Sequence, residues 1–129
     1  MSQIDTPGTA FSLERSDDHA PRQRDERHLA FIRTLPCVVT GVYGVEAAHV
    51  SYRAAAVGKR QRGLGEKADD QWTVPLAPVE HRRQHSMNER AYWQSVGIDP
   101  IAVAQALYGV SGDEMAATMI LTTARMGLL

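Results

Sequence analysis

The sequence predicts an α+β domain in which helices flank a small two-stranded element. Three observations predict it: a helix-like hydrophobic period in residues 26–35, a strand–turn–strand pattern in residues 38–50, and a run of capped helices from residue 78 onward. With 129 residues, 43% of them hydrophobic, the chain can form one core without disulfides. We therefore expect one domain over residues 26–129, preceded by a disordered arm over residues 1–25, which is polar and has no hydrophobic period.

The composition excludes several classes of protein. A formal net charge of −1 gives no overall electrostatic attraction to nucleic acid, so any such attraction has to come from local clusters. The single cysteine excludes an intramolecular disulfide and an all-cysteine zinc site, and it fits a reducing cytosol. No apolar run approaches the roughly 18 residues that a membrane span needs, and the N-terminal region lacks the apolar core of a secretion signal. We therefore expect a cytoplasmic protein with no membrane partner.

In the first half of the domain, the sequence predicts a helix, a hairpin and a long loop. The helix carries apolar residues at helical spacing and ends before Pro36. The segment "CVVTGVYGVEAAHVSY" predicts a hairpin, with a short strand around Val38 and Val39 and a second strand from Val45 to Val50. The segment "RAAAVGKRQRGLGEKADD" has three glycines and five Lys/Arg but no apolar period, so it predicts a long loop of a kind that is uncommon unless functional.

The second half predicts one short strand and three helices. Pro78 and Pro100 stand where proline suits the first turn of a helix, and Gly97 ends the first of these helices. Asp99 is the expected N-cap of the second helix, and Ser111 with Glu114 forms a capping box for the last. The predicted elements are a strand over residues 72–76 and helices over residues 78–96, 99–108 and 111–126. The domain thus has a core at about residues 37–96 and C-terminal helices over residues 99–127.

A pair of histidines four residues apart is the first candidate for chemistry. His81 and His85 lie in the predicted helix over residues 78–96, where side chains at i and i+4 share one face, about 5–6 Å apart at Cβ. That separation suits two imidazoles that converge on one cation. The spacing alone also occurs on solvated helix faces. His49 strengthens the interpretation of this pair as half of a metal site, because it lies at the end of the predicted strand that precedes the basic loop.

This order of strand, basic loop, strand and histidine-bearing helix resembles the HNH, or ββα-metal, nuclease family. The similarity is to the branch encoded by phages and prophages, which includes recombination-enhancing nucleases. It is carried by "LPCVVTG", "EAAHVSYRAAAVGK" and "GLGEKADDQWTVPLAPVEHRRQHSMNERAYWQSVGIDP", or about residues 28–108. The resemblance implies a small ββα-metal core with additional flanking helices, and a metal-dependent endonuclease that hydrolyses phosphodiester bonds in DNA.

The resemblance also implies a role for each histidine. His49 matches the histidine that acts as general base toward a water molecule, and His81 and His85 match the helix histidines that hold a divalent cation, here Mg²⁺, Mn²⁺ or Zn²⁺. Trp72 falls near the place of the asparagine that orients the base in the family. Asp69 or Asp70 is expected to take over that orienting role, and we assign Asp70 to the catalytic residues.

One departure from the family concerns a structural zinc. Many relatives hold this zinc with one C-x-x-C near the first strand and a second cysteine pair just before the helix. Here the two places read Cys37-Val38-Val39-Thr40 and Ala77-Pro78-Val79-Glu80, and one thiolate cannot close a tetrahedral site. We therefore expect that the structural zinc is lost, that Cys37 is a buried small residue, and that apolar packing replaces the metal. The expected packing residues are Val38, Val74 and Leu76.

A second departure concerns the catalytic metal. The position before the base, which usually holds a further metal ligand, is Ala48. Glu46 lies two residues earlier, on the same face of an extended strand as residue 48, and is a candidate ligand. Asp69, Asp70 and His49 are the other candidates, and the sequence does not choose among them.

Basic residues cluster in the loop and on the helix that carries the histidine pair. If the ββα arrangement holds, both groups flank the histidines, where the phosphates of DNA would need them. DNA is therefore the expected partner, with a recombination protein or a second copy of the chain as further candidates. The predicted DNA-binding residues are Arg53, Lys59, Arg60, Arg62, Lys67, Arg82 and Arg83.

Two other functions stay open at this point. The chain could be a nucleic-acid-binding module that kept the fold and lost the chemistry, as Ala48 and the missing cysteines would permit. It could also be a non-catalytic interaction protein. Salt-dependent DNA binding without cleavage favours the first, and the absence of DNA binding favours the second.

Overall fold

The computed structural model describes residues 23–52 and 69–129. Within them the chain forms five α-helices and one two-stranded antiparallel sheet, so the α+β class is confirmed. The elements in chain order are α1 Glu26–Arg33, β1 Glu46–His49, β2 Thr73–Leu76, α2 Pro78–His85, α3 Glu89–Val96, α4 Pro100–Gly109 and α5 Glu114–Arg125. Most of the predicted N-terminal arm and most of the predicted basic loop lie outside the described residues.

The sheet joins two strands that are distant in sequence. β1 and β2 pair in the register Glu46↔Leu76, Ala47↔Pro75, Ala48↔Val74 and His49↔Thr73. The prediction of a hairpin between a strand at Val38 and the strand at Val45–Val50 is therefore wrong. Residues 38–40 form a turn in which Cys37 N–H donates to the Val42 carbonyl at 2.9 Å and Gly41 N–H to the Cys37 carbonyl at 2.8 Å. These local bonds use the backbone groups that a hairpin ladder would need.

The predicted helix over residues 78–96 is two helices in the structure. α2 ends at His85 and α3 begins at Glu89, with Asn88 in extended conformation between them. The Asn88 side chain accepts a hydrogen bond from Ala91 N–H at 3.0 Å, which makes it an N-cap. A residue that caps so well favours starting a new helix over continuing the old one. Gly97 ends α3 in the left-handed region, at φ 70°, as the sequence predicts.

Of the two N-caps predicted for α4 and α5, the structure confirms only that of α4. Asp99 caps α4, since its Oδ1 accepts from the backbone N–H groups of the first turn. The predicted capping box of Ser111 and Glu114 is wrong, because Asp113 is the N-cap of α5 and accepts from Ala116 N–H at 3.1 Å. Ser111 instead lies 2.8 Å from a ring nitrogen of His28, on α1. A tertiary contact has thus taken the hydroxyl that local spacing assigned to a cap.

One hydrophobic core joins the sheet to the helices. α1 packs on both strands, and α4 packs on β2 and on α5. Val38, Val74 and Leu76, the residues expected to replace a structural zinc, are completely buried. No helix in the part of the chain that the structure describes has the length and apolarity to cross a membrane.

Cys37 is completely buried, as predicted, but it also acts as a hydrogen-bond acceptor. Its Sγ accepts from the backbone N–H groups of Val39, Thr40 and Ala77 at 3.4, 3.4 and 3.3 Å. The sulfur therefore links the turn after α1 to the residue that precedes α2. Cys37 and Ala77 also begin the two segments that the HNH resemblance aligns with zinc-binding cysteine pairs, and the fold brings these segments together.

Candidate active site

The sheet register places the start of β1 beneath the first turn of α2. Glu46 is paired with Leu76, and α2 begins two residues later, at Pro78. His81 N–H donates to the Ala77 carbonyl at 2.8 Å, so the first turn of α2 is closed at once. α2 packs on β1, which brings its first turn back over Glu46. The strand and the helix therefore form one corner, and the predicted metal ligands lie in it.

His81 and His85 face each other on α2. Their Nε2 atoms lie 3.2 Å apart, and their ring centroids are 4.7 Å apart. Two imidazole nitrogens that bind one tetrahedral Zn²⁺ at about 2.0–2.1 Å would lie about 3.3–3.4 Å from each other. The observed separation is close to that value. The two rings thus fit a shared divalent cation, and the nitrogen that each would offer is Nε2.

Glu46 contacts the opposite edge of the His81 ring. Its Oε1 lies 2.8 Å from His81 Nδ1, while His81 Nε2 faces His85. From the sequence, Glu46 is a candidate metal ligand. The structure places its carboxylate instead on the ring nitrogen that does not face the second histidine.

His49 and Asp70 form a second pair. His49 Nε2 lies 2.9 Å from Asp70 Oδ1, and the Asp70 side chain is completely buried whereas that of His49 is 16% exposed. The pairing of His49 with Thr73 explains the contact, because Asp70 precedes Thr73 by one turn and its carbonyl accepts from Thr73 Oγ1 at 2.9 Å. Asp70, one of the two aspartates that the sequence proposes as the partner of the base, is in contact with it.

Residues 23–25 hold the two aspartates in place. Asp25 N–H donates to Asp70 Oδ2 at 2.7 Å, and Gln23 N–H donates to Asp69 Oδ1 at 2.8 Å. Asp70 N–H in turn donates to the Gln23 carbonyl at 3.0 Å. The end of the predicted arm is therefore hydrogen-bonded beside the candidate base. Sequence reasoning missed this support, although Asp25 is recognisable as the residue that precedes the first helix, and it does cap α1 through His28 N–H.

The two pairs do not add up to a closed metal site. Among residues 23–52 and 69–129, no group of three or more His, Cys, Asp or Glu side chains is arranged to hold a metal ion. Glu46 and His49 are three residues apart on one strand, so their side chains leave it on opposite faces. Ala48, the residue before His49, is buried at 2% exposure and offers no ligand atom in its side chain. The described part of the chain therefore offers two imidazoles, those of His81 and His85, as ligands for one cation.

The predicted DNA-binding residues on α2 differ in their surroundings. Arg82 is exposed. Arg83 Nη1 lies 3.1 Å from Glu80 Oε1, and Arg83 Cζ lies 5.4 Å from the centroid of the Tyr92 ring. The Arg83 guanidinium is therefore already paired with groups of the protein itself. Arg82 is thus the better placed of the two for an external phosphate. Arg53, Lys59, Arg60, Arg62 and Lys67, the loop residues predicted to bind DNA, lie outside the described residues.

A buried tyrosine fixes α2 against α3. Tyr92 Oη donates to Glu80 Oε1 at 2.7 Å, and the Tyr92 side chain is fully buried. Burial, and after it the hydrogen bond to Glu80, raises the pKa of the Tyr92 hydroxyl, which therefore stays protonated and able to donate. This contact orients the helix that carries both His81 and His85.

Comparison with known proteins gives one match. A family model described as "Protein of unknown function (DUF968)" matches residues 5–110, which include both histidine pairs. No curated protein and no solved structure matches the chain.

Proposed function

Because the chain belongs to the DUF968 family of proteins of unknown function, we propose its function from the geometry of its own histidines: it is a metal-dependent DNA endonuclease of the HNH, or ββα-metal, type. The observation that carries the proposal is the 3.2 Å separation of the Nε2 atoms of His81 and His85, at the end of a strand–strand–helix unit. The antiparallel pairing of β1 with β2 and the packing of α2 on β1 support the ββα arrangement.

His81 and His85 are the residues that hold the divalent cation. Imidazole donors favour Zn²⁺ and other late first-row ions over Mg²⁺, with Mn²⁺ between them. Two protein ligands leave coordination positions for water and for a phosphate oxygen. A bound cation would stabilise the negative charge that develops on the scissile phosphate and on the leaving oxygen.

His49 is the general base in this proposal. Asp70, when ionised, can only accept hydrogen bonds, so its contact with His49 Nε2 assigns the proton of a neutral ring to that nitrogen. Nδ1 then carries the lone pair and can take the proton of the attacking water. A histidine suits this role because its ordinary pKa lies near neutrality. Asp70 in turn is held by Asp25 N–H, so the ring orientation is set before substrate binds.

The deciding experiment combines metal binding with DNA cleavage. Calorimetry with Mg²⁺, Mn²⁺ and Zn²⁺ on the wild type should give about one tightly bound ion per chain, and the His81→Ala/His85→Ala double variant should lose it. His49→Ala should keep metal binding but cut plasmid DNA about 10²–10⁴-fold more slowly. Met87→Ala, an exposed residue between α2 and α3, is the matched control and should change neither property.

Three outcomes would contradict the proposal. A wild type that binds none of the three ions would remove the metal site, and loss of metal binding in His49→Ala would make that residue a ligand instead of the base. Metal-independent cleavage would contradict the mechanism as well.

A second candidate is a nucleic-acid-binding module that has lost catalysis. The buried Ala48, and the lack of a three-ligand group in the described part of the chain, are the observations that favour it. In that case the protein should bind DNA in a salt-dependent way and leave it uncut with every ion tested.

A further inference from the structure

We infer that Glu46 is a positioning residue for the metal site, which holds His81 from outside the coordination sphere. The inference rests on the proposed function, because it concerns the same His81 and His85 pair. It differs from the expectation that the sequence raises for Glu46, which is direct ligation. The contact that carries it is the 2.8 Å hydrogen bond between Glu46 Oε1 and His81 Nδ1.

The fold explains why a glutamate reaches this nitrogen. Glu46 is the first residue of β1, and its pairing with Leu76 sets it beside the chain that turns into α2. His81 lies one turn into that helix and therefore above Glu46. Neither side chain is buried, since the exposed fractions are 21% for His81 and 54% for Glu46. The hydrogen bond to Glu46 therefore orients the His81 ring together with its contact to the His85 ring.

The hydrogen bond determines which nitrogen of His81 can bind a cation. An ionised carboxylate accepts and cannot donate, so a neutral His81 ring carries its proton on Nδ1 and its lone pair on Nε2. Nε2 is the atom that faces His85 Nε2 at 3.2 Å. A carboxylate behind a ligating histidine fixes its tautomer and ring orientation and makes it a stronger donor. Glu46 therefore prepares His81 for the cation that it shares with His85.

The same geometry argues against direct ligation by Glu46. Nδ1 and Nε2 are the two separate nitrogens of one ring, and a cation between the Nε2 atoms lies across the ring from the bound Oε1. Among residues 23–52 and 69–129, the site then has two imidazoles as ligands, with Glu46 acting on one of them through its other nitrogen.

The test compares Glu46→Ala with Glu46→Gln in the full chain. An amide oxygen can still accept from Nδ1–H, whereas alanine cannot. We expect Glu46→Ala to weaken Zn²⁺ binding by about 10–100-fold, the loss typical of an outer partner, and Glu46→Gln to recover most of it. Calorimetry measures both affinities. Glu114→Gln, which removes an exposed carboxylate at the start of α5, is the charge-matched control and should bind as the wild type does.

The visible spectrum of the Co²⁺-loaded protein separates positioning from ligation. Its band positions and intensities follow the number and type of atoms bound to the ion, so an outer residue should leave them unchanged once the site is saturated. The thermal unfolding midpoints of the metal-free variants should match that of the metal-free wild type. Equal midpoints would show that the substitutions leave the fold intact.

Each outcome bears on one proposal at a time. If the wild type binds no Zn²⁺ or Co²⁺, the proposed function fails. If the wild type binds but Glu46→Ala binds equally well, only the role of Glu46 is overturned. If Glu46→Gln is as weak as Glu46→Ala and the Co²⁺ spectrum changes in both, Glu46 is a ligand and the inference is wrong.

Discussion

At the scale of single residues, the described histidines differ mainly in their partners. His49 is held by a buried carboxylate, and His81 by an exposed one. His28 is 1% exposed, with Nδ1 against Ser111 Oγ at 2.8 Å and with no hydrogen-bond partner for Nε2 among the described residues. Desolvation by burial lowers the pKa of His28 from its ordinary 6.5, although the charges of Asp25 and Asp70 act in the opposite direction. The same residue type thus serves packing at one site and hydrogen-bonding roles at the others.

The lowered pKa of His28 predicts a loss of stability in mild acid. The unfolded chain binds a proton at His28 near pH 6.5, whereas the folded chain binds it only at lower pH. The unfolded state therefore holds more protons below pH 6.5, and the contribution of His28 to the free energy of unfolding is present above that pH and declines as the pH falls below it. His28→Asn, which can keep a hydrogen bond to Ser111 but cannot titrate, should lose less stability between pH 7.5 and 5.5 than the wild type.

Urea denaturation of both proteins across this pH range measures the difference. The two proteins differ at residue 28 alone, so the difference between their pH dependences reports on His28. Identical pH dependence in the wild type and His28→Asn would show that burial does not hold His28 neutral.

At the scale of elements, the break between α2 and α3 determines how far the histidine-bearing helix extends. α2 is eight residues long and ends at His85, so both histidines lie within its last five residues. Asn88 starts α3, and Tyr92 on α3 then returns to Glu80 on α2. The two helices support each other through this contact, because a single polar eight-residue helix is too short to be stable alone.

Removal of the Asn88 cap should destabilise the protein. Asn88→Ala takes away the acceptor for Ala91 N–H and should lower the free energy of unfolding by about 0.5–2 kcal/mol, measured by urea denaturation. Asn88→Asp keeps the acceptor and the cap preference, so it should remain close to the wild type. A loss in Asn88→Asp as large as that in Asn88→Ala would show that the side chain supports something other than the cap.

At the scale of the whole molecule, the net charge of −1 conceals a local basic cluster in the sequence. On α2, Arg83 is engaged by Glu80, whereas Arg82 is exposed and lies on the helix that carries His81 and His85. DNA binding by such a protein should depend on a few phosphate contacts near the histidines and not on the overall charge.

The salt dependence of DNA binding tests this distribution. If Arg82 contacts one phosphate, Arg82→Ala should reduce the magnitude of the slope of log K against log salt concentration by about 1. Arg33→Ala, an exposed arginine at the end of α1, is the matched control and should leave the slope unchanged. Fluorescence anisotropy of a labelled duplex at several salt concentrations gives both slopes. Equal slopes for all three proteins would place DNA binding on another surface.

Features that depend on neighbouring residues could be predicted from the sequence. Gly97 as the end of α3 and Asp99 as the cap of α4 are local, because the hydrogen bonds involved span only a few residues. The helical phase of His81 and His85 is local too. The break at Asn88 is local as well, because asparagine is a preferred N-cap. The prediction of one long helix is wrong because Pro78 and Gly97 mark only its two ends, whereas the Asn88 cap starts a new helix between them.

The partners of these elements were decided by the tertiary structure. The sequence by itself determined an α+β chain, several helix ends and two histidines on one helix face. Only the fold decided that β1 pairs with β2 and not with residues near Val38, that Asp70 holds His49, and that Glu46 binds His81. The physical reason is that these contacts join residues 21–35 positions apart. At that distance no local backbone preference specifies which residues become neighbours, and the burial of a shared core specifies them instead.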